Sequence, residues 1–504
     1  MSQINNKRIA TNTIFLYLRM LVVMAIGLYT VRAYLAILGE TDYGLYNVVG
    51  GVVSMFAFLN GTLATSSQRY FSQALVHDDK NAVNRVFCLN LTIYLILIAF
   101  VVFILETVGL WFLNSKMTIP QDRLTAANVV YQISILTFAV QMITISYNAL
   151  IISYEKMKAF AYIGMLEAII KLGFVFVLMH ITYDKLISYA LFMFLLYVLI
   201  AGIYIFYCHR NFKESIFHFY WNKREAIEML SFSGWHLFGT FSVTIRSQGI
   251  NILLNMFFTP AINAARAVAF QVYNAVSQLS NNFFTAVKPQ IYKSYEAGEK
   301  VDLYKLILRS TIMSTLLVAI LVFPILANTS FILGLWLKDV PEYTIIFTQL
   351  VLLNGLVDTT NGPTTSAVLA TGKIRTYELV VGGLFILNLP ISYVALALGY
   401  QPTVTMIISI IIALIVTFVR ALFMCRLIGV SFKQYLVMFL RLTLASLVTW
   451  AIVKWTVINS ANNLYEFILQ SLFVCLITVF SYIVIACDKE DLILVVNYIK
   501  RIRK

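Results

Sequence analysis

The chain has 504 residues, of which 60% are hydrophobic and 12% are charged. Soluble globular domains are about half apolar and about a quarter charged, so this composition excludes an ordinary soluble protein and predicts one embedded in a membrane. The net charge of +14 requires no nucleic-acid partner, because the basic residues concentrate on one side of the predicted membrane segments.

About fourteen apolar segments follow one another along the chain, each near the length of roughly 20 residues that a helix needs to cross a bilayer. The sequence therefore predicts an all-α integral membrane protein. Two segments, 263–287 and 343–370, carry many polar residues and are included because the connections on both sides require them. The predicted spans are 11–38, 44–66, 86–113, 124–150, 160–180, 185–207, 234–257, 263–287, 306–327, 343–370, 376–398, 402–425, 436–458 and 464–486.

Lysine and arginine predict the orientation of these spans, because cytoplasmic loops are enriched in both residues. With the N-terminus in the cytoplasm, most of the basic residues fall on the cytoplasmic side, including the basic tail. We therefore expect both termini in the cytoplasm. The opposite side has four basic residues, which are Lys116, Arg123, Lys185 and Lys338.

The chain contains an internal repeat at an offset of about 220 residues, which predicts two similar six-helix lobes. Gln68, Tyr70 and Ser72 recur as Gln290, Tyr292 and Ser294. Since six is even, both copies enter the membrane in the same direction, and a site is expected where they meet. The predicted parts are an N-lobe (1–210), a cytoplasmic interfacial linker (211–233), a C-lobe (234–430), and two extra helices with a basic tail (431–504).

Polar residues recur on single faces of several predicted helices. In the eighth span, Gln271, Asn274, Gln278 and Asn281 follow a 3-4-3 spacing, which places them on one helical face. The seventh span carries Asn251 and Asn255. Such a row is explained either by hydrogen bonds between packed helices or by a water-filled cavity. Matching rows in both halves favour the cavity and make these residues candidates for substrate binding.

Charged residues deep within the spans indicate function, because each is costly in hydrocarbon unless it is hydrated or paired. Arg19, Arg32 and Arg246 give the expected cavity a positive sign. Guanidinium groups suit phosphate oxygens, so an anionic substrate such as a diphosphate head group is favoured. Glu167 and Lys171 are four residues apart on one helix and are expected to form a structural ion pair.

Asp358 lies just before the segment Asn361-Gly362-Pro363. A proline within a span removes a backbone hydrogen bond and kinks the helix. Asp358, Asn361 and Pro363 are therefore candidates for a hinge or for coupling to a proton or sodium ion, and a static kink is the alternative. The five cysteines show no metal-binding spacing, and neither a cofactor, a metal site nor a set of catalytic residues is predicted.

Four segments carry a resemblance to a known family: KRIATNTIFLYLRM at the start of the first span, LGETDYGLYNVV, ISYEKMKAFAY and LATGKIRTYE. Together with the span count and the repeat, they resemble the polysaccharide transporters of the multidrug/oligosaccharidyl-lipid/polysaccharide (MOP) exporter superfamily. The branch concerned is that of the O-antigen and capsule flippases of bacterial inner membranes.

The resemblance implies two six-helix lobes in a V around a central cavity. It implies movement of an undecaprenyl-diphosphate-linked oligosaccharide from the inner to the outer leaflet by alternating access. Arg19, Arg32 and Arg246 would hold the diphosphate or acidic sugars, and a polysaccharide polymerase with its chain-length machinery would act beside the flippase. Proton or sodium coupling is implied for some relatives, with Asp358 as the candidate here.

Other functions remain open at this point. A lipid II flippase shares the diphosphate head group, and a cation-coupled multidrug exporter belongs to the same superfamily. A membrane polysaccharide polymerase or ligase is less favoured, because the predicted outside loops are short. We expect a transporter rather than an enzyme, in the bacterial inner membrane and without a nucleic-acid partner.

Overall fold

The computed structural model describes residues 6–54, 56, 58–77, 79–115, 119, 121–258, 260–337, 340–456 and 461–486. All regular secondary structure within these ranges is helical, which confirms the predicted fold class. Nine stretches of the described chain are long and apolar enough to cross a membrane. The total of about fourteen spans stays a prediction, because the other five predicted spans are too polar or are interrupted.

The chain divides into two compact units, the N-unit (Asn5–Leu237) and the C-unit (Phe238–Lys504). The helices of the N-unit are α1 (Asn6–Ser54), α2 (Phe58–Ala74), α3 (Lys80–Ile104), α4 (Leu110–Ser115), α5 (Leu124–Ser153), α6 (Met157–His180) and α7 (Lys185–Asn211). Helix α8 (Lys223–Phe257) contributes residues to both units.

The C-unit continues with α9 (Pro260–Glu296), α10 (Lys300–Ala327), α11 (Thr329–Trp336), α12 (Thr344–Thr359), α13 (Asn361–Ala370), α14 (Arg375–Ala397), α15 (Val404–Ile428), α16 (Phe432–Thr456) and α17 (Leu464–Ile485). Helix α9 packs against α10, α12 and α13, and α15 packs against α12, α13 and α14. In the N-unit, α5 packs against α1, α2, α3 and α7. Helices α5 and α9 thus occupy central positions, each in its own unit.

The first two predicted spans, 11–38 and 44–66, are divided differently in the structure. Helix α1 runs from Asn6 to Ser54 with one non-helical residue, Gly39, whose φ of 76° favours glycine. The chain then resumes as α2 at Phe58. Gly39 therefore ends the first span where predicted, whereas the predicted second span is shared between the end of α1 and α2.

The predicted interfacial linker, 211–233, is shorter than expected. Residues 216–222 are not helical, and residues from Lys223 onward already belong to α8. The Oδ1 atom of Asn222 accepts hydrogen bonds from the backbone N–H groups of Arg224 (3.0 Å) and Glu225 (3.4 Å). Asparagine at a helix N-cap satisfies donors that the first turn leaves free, which explains why α8 begins here.

The segment before α8 is attached to α3 within the N-unit. The Nδ2 atom of Asn84 donates hydrogen bonds to the carbonyl oxygens of Glu214 (2.8 Å) and Ile216 (2.9 Å). The Sγ atom of Cys88, one turn further along α3, lies 3.4 Å from Nδ1 of His218. These contacts hold the segment against the helical bundle even though it has no regular secondary structure.

Candidate functional site

The C-unit contains a pair of arginines stacked on one aromatic ring. Arg246 on α8 places its guanidinium carbon 4.5 Å from the ring centroid of Phe385 on α14. The guanidinium carbon of Arg420 on α15 lies 5.6 Å from the same centroid. A cation over an aromatic face is attracted by the ring quadrupole, so Phe385 holds two positive groups in one region of the C-unit.

Asp358 near the end of α12 is the carboxylate of this region. It interacts electrostatically with both Arg246 and Arg420, and it accepts a hydrogen bond of 2.8 Å from Nδ2 of Asn354. Among these described side chains, no ion pair within 4 Å joins Asp358 to either arginine. The carboxylate therefore offsets part of the positive charge without occupying the hydrogen-bond donors of the guanidinium groups.

A third arginine, Arg266 on α9, is 4% exposed and interacts electrostatically with Arg246. It stacks over Phe270 at 4.5 Å and donates a hydrogen bond to Oδ1 of Asn251. Arg266 was not predicted to be functional. The available signal was a charged residue within a predicted span, 263–287, which is the same signal that made Arg246 a candidate.

Each of the three guanidinium groups has a buried nitrogen without a hydrogen-bond partner among the described residues. These are Nη1 of Arg246, Nε of Arg266 and Nε of Arg420. A buried donor without a partner costs about 1–3 kcal/mol, and more when the group is charged. Arg246, Arg266, Arg420 and Asp358 together carry a net positive charge and spare donors, the chemistry that binds an anion. A further buried acid, Glu378 on α14, lies against Gly239 of α8.

The predicted kink near Pro363 is present in the structure as a helix break. Helix α12 ends at Thr359 and α13 begins at Asn361, with Pro363 buried as its third residue. Nδ2 of Asn361 donates a hydrogen bond of 3.0 Å to Oγ1 of Thr417 on α15. The break places Asp358 in the last turn of α12, and its role as a hinge or ion site stays a prediction.

Two glycines allow the broken helix to approach α9 closely. A Cβ atom at Gly355 would lie 2.6 Å from Cε2 of Tyr273, and one at Gly362 would collide with the ring of Phe284. Tyr273 also interacts electrostatically with Asp358 and Arg246. The glycines therefore bring α9 and its Arg266 into the same region of the C-unit as the carboxylate.

The polar row predicted on the eighth span lies on one face of α9. Its four residues, Gln271, Asn274, Gln278 and Asn281, are all exposed, and we call them the amide row. The face opposite to the row is buried and includes Ala269, Val276, Phe283 and Val287. None of the four amide side chains makes a hydrogen bond to another residue in the described part of the chain.

The two polar residues predicted on the seventh span differ from each other. Asn251 is engaged, because its Oδ1 accepts from Arg266 and its Nδ2 donates to Oε1 of Gln248 at 3.1 Å. Asn263 on α9 adds a hydrogen bond of 3.1 Å to the backbone carbonyl of Asn251. Asn255 is exposed. Asn251 therefore orients Arg266 in this structure, whereas the exposed side chain of Asn255 is accessible to a substrate.

The N-unit has its own charged group around Arg19 on α1. The guanidinium carbon of Arg19 lies 4.5 Å from the ring centroid of Phe160 on α6, and its Nε has no hydrogen-bond partner among the described atoms. Glu167 interacts electrostatically with Arg19 and also with Lys171. No ion pair within 4 Å joins Glu167 to Lys171 among the described side chains, so in place of the predicted ion pair the structure has a looser group of three charges, Arg19, Glu167 and Lys171.

Two further arginines of the N-unit are Arg32 and Arg69. The side chain of Arg32 lies outside the described residues, so its predicted place in a cavity stays a prediction. Arg69 on α2 was not predicted to be functional, yet it is 5% exposed and its guanidinium carbon lies 4.7 Å from the centroids of both Tyr70 and Phe232. This stacking connects the end of α2 to the start of α8 within the N-unit.

Solved structures with the same fold are transporters. The chain is similar to an outward-facing multidrug resistance MATE family transporter of the MOP superfamily, with a TM-score of 0.71 and 11% identity over 83% of this chain and 95% of the other. The chain is also similar to a MATE protein in the straight conformation, with a TM-score of 0.66 and 14% identity over 85% of this chain and 97% of the other. At this identity the likeness shows the fold alone, and this fold is the one predicted from the sequence.

A third similar structure is a MOP superfamily transporter from Pyrococcus furiosus Vc1. Its TM-score is 0.68, with 13% identity over 83% of this chain and 95% of that chain. That protein is described as having a binding pocket of reverse polarity that suggests a different function. No curated protein matches the chain. The profile of the family called polysaccharide biosynthesis protein matches residues 9–295, more than half of the sequence, and the chain belongs to that family.

Proposed function

We propose that this protein is a flippase that moves an undecaprenyl-diphosphate-linked oligosaccharide from the inner to the outer leaflet of the bacterial inner membrane by alternating access. The carried unit would be a repeat unit of O-antigen, capsule or exopolysaccharide. The observation that carries the proposal is the group of Arg246, Arg266 and Arg420, with three buried donors free and one carboxylate, Asp358, nearby.

A diphosphate matches this group in charge and in hydrogen bonding. Guanidinium presents a planar set of donors that binds phosphate oxygens, often two at a time. Charged hydrogen bonds of this kind contribute about 1.5–3 kcal/mol each. An anion bound here would satisfy the free donors and neutralise the excess positive charge, which a neutral substrate would not do.

The remaining predicted residues extend the proposal. Arg19 and Arg32 would supply positive charge from the N-unit, and Asn255 a neutral donor and acceptor from α8. Asp358, Asn361 and Pro363 would provide a hinge or a site for a proton or sodium ion, because an acid lies next to a break in the helix. Both termini would lie in the cytoplasm, and a polysaccharide polymerase with its chain-length machinery would use the product.

A multidrug exporter is the main alternative, because one structure with this fold is that of a multidrug resistance transporter. Cationic drugs call for an acidic site, and the acid of the C-unit cluster, Asp358, interacts electrostatically with two arginines. The membership of the polysaccharide biosynthesis family also favours a glycan substrate. A lipid II flippase has the same head group, so the arginines support it equally well.

The test is a deletion in the native bacterium, with surface polysaccharide, the leaflet position of lipid-linked repeat units, and drug sensitivity measured together. We expect loss of surface polymer, repeat units held in the inner leaflet, and unchanged drug sensitivity. The wild-type gene should restore the polymer, and a gene encoding Arg246→Gln with Arg266→Gln should not.

Three other outcomes would replace the proposal. Intact polymer with drug hypersensitivity would indicate an exporter. Repeat units that reach the outer leaflet but are not joined would indicate a polymerase or ligase. Loss of cell-wall synthesis with lipid II held in the inner leaflet would indicate a lipid II flippase.

A further inference from the structure

Four amide side chains on α9 form a second feature of the C-unit, distinct from the arginines. The amide row of Gln271, Asn274, Gln278 and Asn281 covers ten residue steps of helix. At about 1.5 Å of rise per residue, its length is about 15 Å. The row begins five residues after Arg266 on the same helix, and Arg266 itself is buried on a different face of α9.

Lipid is a poor occupant for this face. Hydrocarbon satisfies no hydrogen bonds, so exposed amides at membrane depth are favourable only against water or a polar ligand. Helix α9 is also not one of the nine described stretches that are apolar enough to cross a membrane. Its opposite face, with Val276 and Phe283, is already buried against neighbouring helices. The amide row is thus the side of α9 that meets a polar partner.

We propose that the amide row binds the sugar chain of the carried lipid and selects for uncharged sugars. This inference rests on the proposed function and assigns the glycan, as distinct from the diphosphate, to named residues. Each side-chain amide presents two donors and a carbonyl acceptor, which match the hydroxyl groups of a sugar. The row itself carries no charge, so it offers a carboxylate no ion pair, and its four amides have no partner within the described chain.

The experiment uses the full chain in proteoliposomes and two lipids, undecaprenyl diphosphate bearing one neutral hexose and the same lipid bearing a neutral tetrasaccharide. The tested variant replaces all four row residues by alanine. We expect its transport of the tetrasaccharide lipid to fall by about tenfold or more, since several hydrogen bonds are lost, and its transport of the monosaccharide lipid to stay within about twofold of wild type.

A matched control makes four alanine substitutions on an exposed apolar face of α15, at Ile407, Ile411, Ile415 and Leu422. This control should transport both lipids as the wild type does. Equal loss of both lipids in the amide variant, or no loss of either, would overturn the role of the row while the flippase function stands. If wild-type protein moves neither lipid, the proposed function fails and the role of the row fails with it.

A single substitution tests the selection for uncharged sugars without removing the row. Asn281→Asp adds one carboxylate at the end of the row. With a second tetrasaccharide lipid that contains a uronic acid, we expect this variant to transport the acidic glycan several-fold more slowly than wild-type protein does, because like charges repel. Its transport of the neutral tetrasaccharide should change less. An equal effect on both glycans would overturn the assignment.

Discussion

The N-unit and the C-unit each contain an arginine stacked on a phenylalanine, and different charges surround the two contacts. Arg19 stacks on Phe160 in the N-unit, and Arg246 stacks on Phe385 in the C-unit, each at 4.5 Å. In both units the arginine comes from the first helix of the predicted repeat and the phenylalanine from the fifth. The register that pairs Gln68 with Gln290 does not align the two contacts, so they are similar in type and not equivalent in position.

The difference lies in the groups around the two contacts. In the N-unit, Glu167 interacts with both Arg19 and Lys171, so one acid serves two bases. In the C-unit, Asp358 serves Arg246 and Arg420, while Arg266 adds a third positive group. We therefore propose that the C-unit group is the main site for the anion and that the N-unit group, which includes Arg19, contributes less to its binding.

The largest expected effect is on the anion-binding role. Replacing Arg246 and Arg266 by glutamine should reduce transport of an undecaprenyl-diphosphate-linked glycan by roughly tenfold to a hundredfold or more, because charged hydrogen bonds to phosphate contribute about 1.5–3 kcal/mol each. Initial rates in proteoliposomes, with protein amount and melting temperature recorded, provide the measurement. Arg426→Gln is the control, since Arg426 is exposed near the end of α15, and normal transport by the double variant would remove the charge argument.

The two stacked phenylalanines test the comparison directly. A cation–π contact contributes about 0.5–2 kcal/mol, so Phe160→Leu and Phe385→Leu should lower thermal stability to a similar extent. Only Phe385→Leu should also raise the substrate concentration needed for half-maximal transport, by a few-fold, because it loosens Arg246 and Arg420. If Phe160→Leu weakens substrate binding as much, the N-unit group shares the anion-binding role.

Close packing around Gly355 in the C-unit predicts that a larger residue there lowers stability and transport by a moderate amount. A Cβ atom at Gly355 would lie 2.6 Å from the ring of Tyr273, a distance that requires the helices to shift. We expect Gly355→Ala to destabilise the protein by about 1–3 kcal/mol, the range observed for overpacked cores, and to reduce transport by displacing Asp358 from the arginines. Gly383→Ala is the control, because a Cβ atom there would meet no neighbour within 4 Å, and equal melting temperatures of the two variants would contradict the packing.

The sequence predicted most of the helices because hydropathy and span length depend on composition, which a single sequence contains. The break at Pro363 was predictable for the same reason, since proline removes a backbone donor wherever it occurs. Arg266 was missed because its burial depends on Phe270 and Asn251, which pack around it only in the folded chain. The pairing of Arg246 with Phe385 likewise joins residues far apart in sequence, which the sequence alone does not bring together.

The smallest expected effect concerns an ion cluster of the N-unit. Arg123 donates hydrogen bonds to Asp42 through Nε (2.9 Å) and to Asp184 through Nη1 (2.7 Å). Asp184 also caps α7 by accepting from the backbone N–H of Leu186 at 3.0 Å. The three charged side chains are between 14% and 25% exposed, so we expect Arg123→Gln to cost about 1 kcal/mol of stability, near the upper end for pairs at a surface.

Salt distinguishes this electrostatic effect from a packing defect. Ionic strength screens partly exposed charges, with a Debye length of about 10 Å at 0.1 M and about 3 Å at 1 M, so the melting difference between Arg123→Gln and wild type should shrink in concentrated salt. Arg85→Gln is the control, because its pair with Asp79 is 3.6 Å long and nearly half exposed, and it should leave stability unchanged. Transport should be normal in both variants. If Arg123→Gln loses transport at unchanged stability, the charges of the N-unit have a role in function. That result would contradict the proposal that the C-unit group is the main site for the anion.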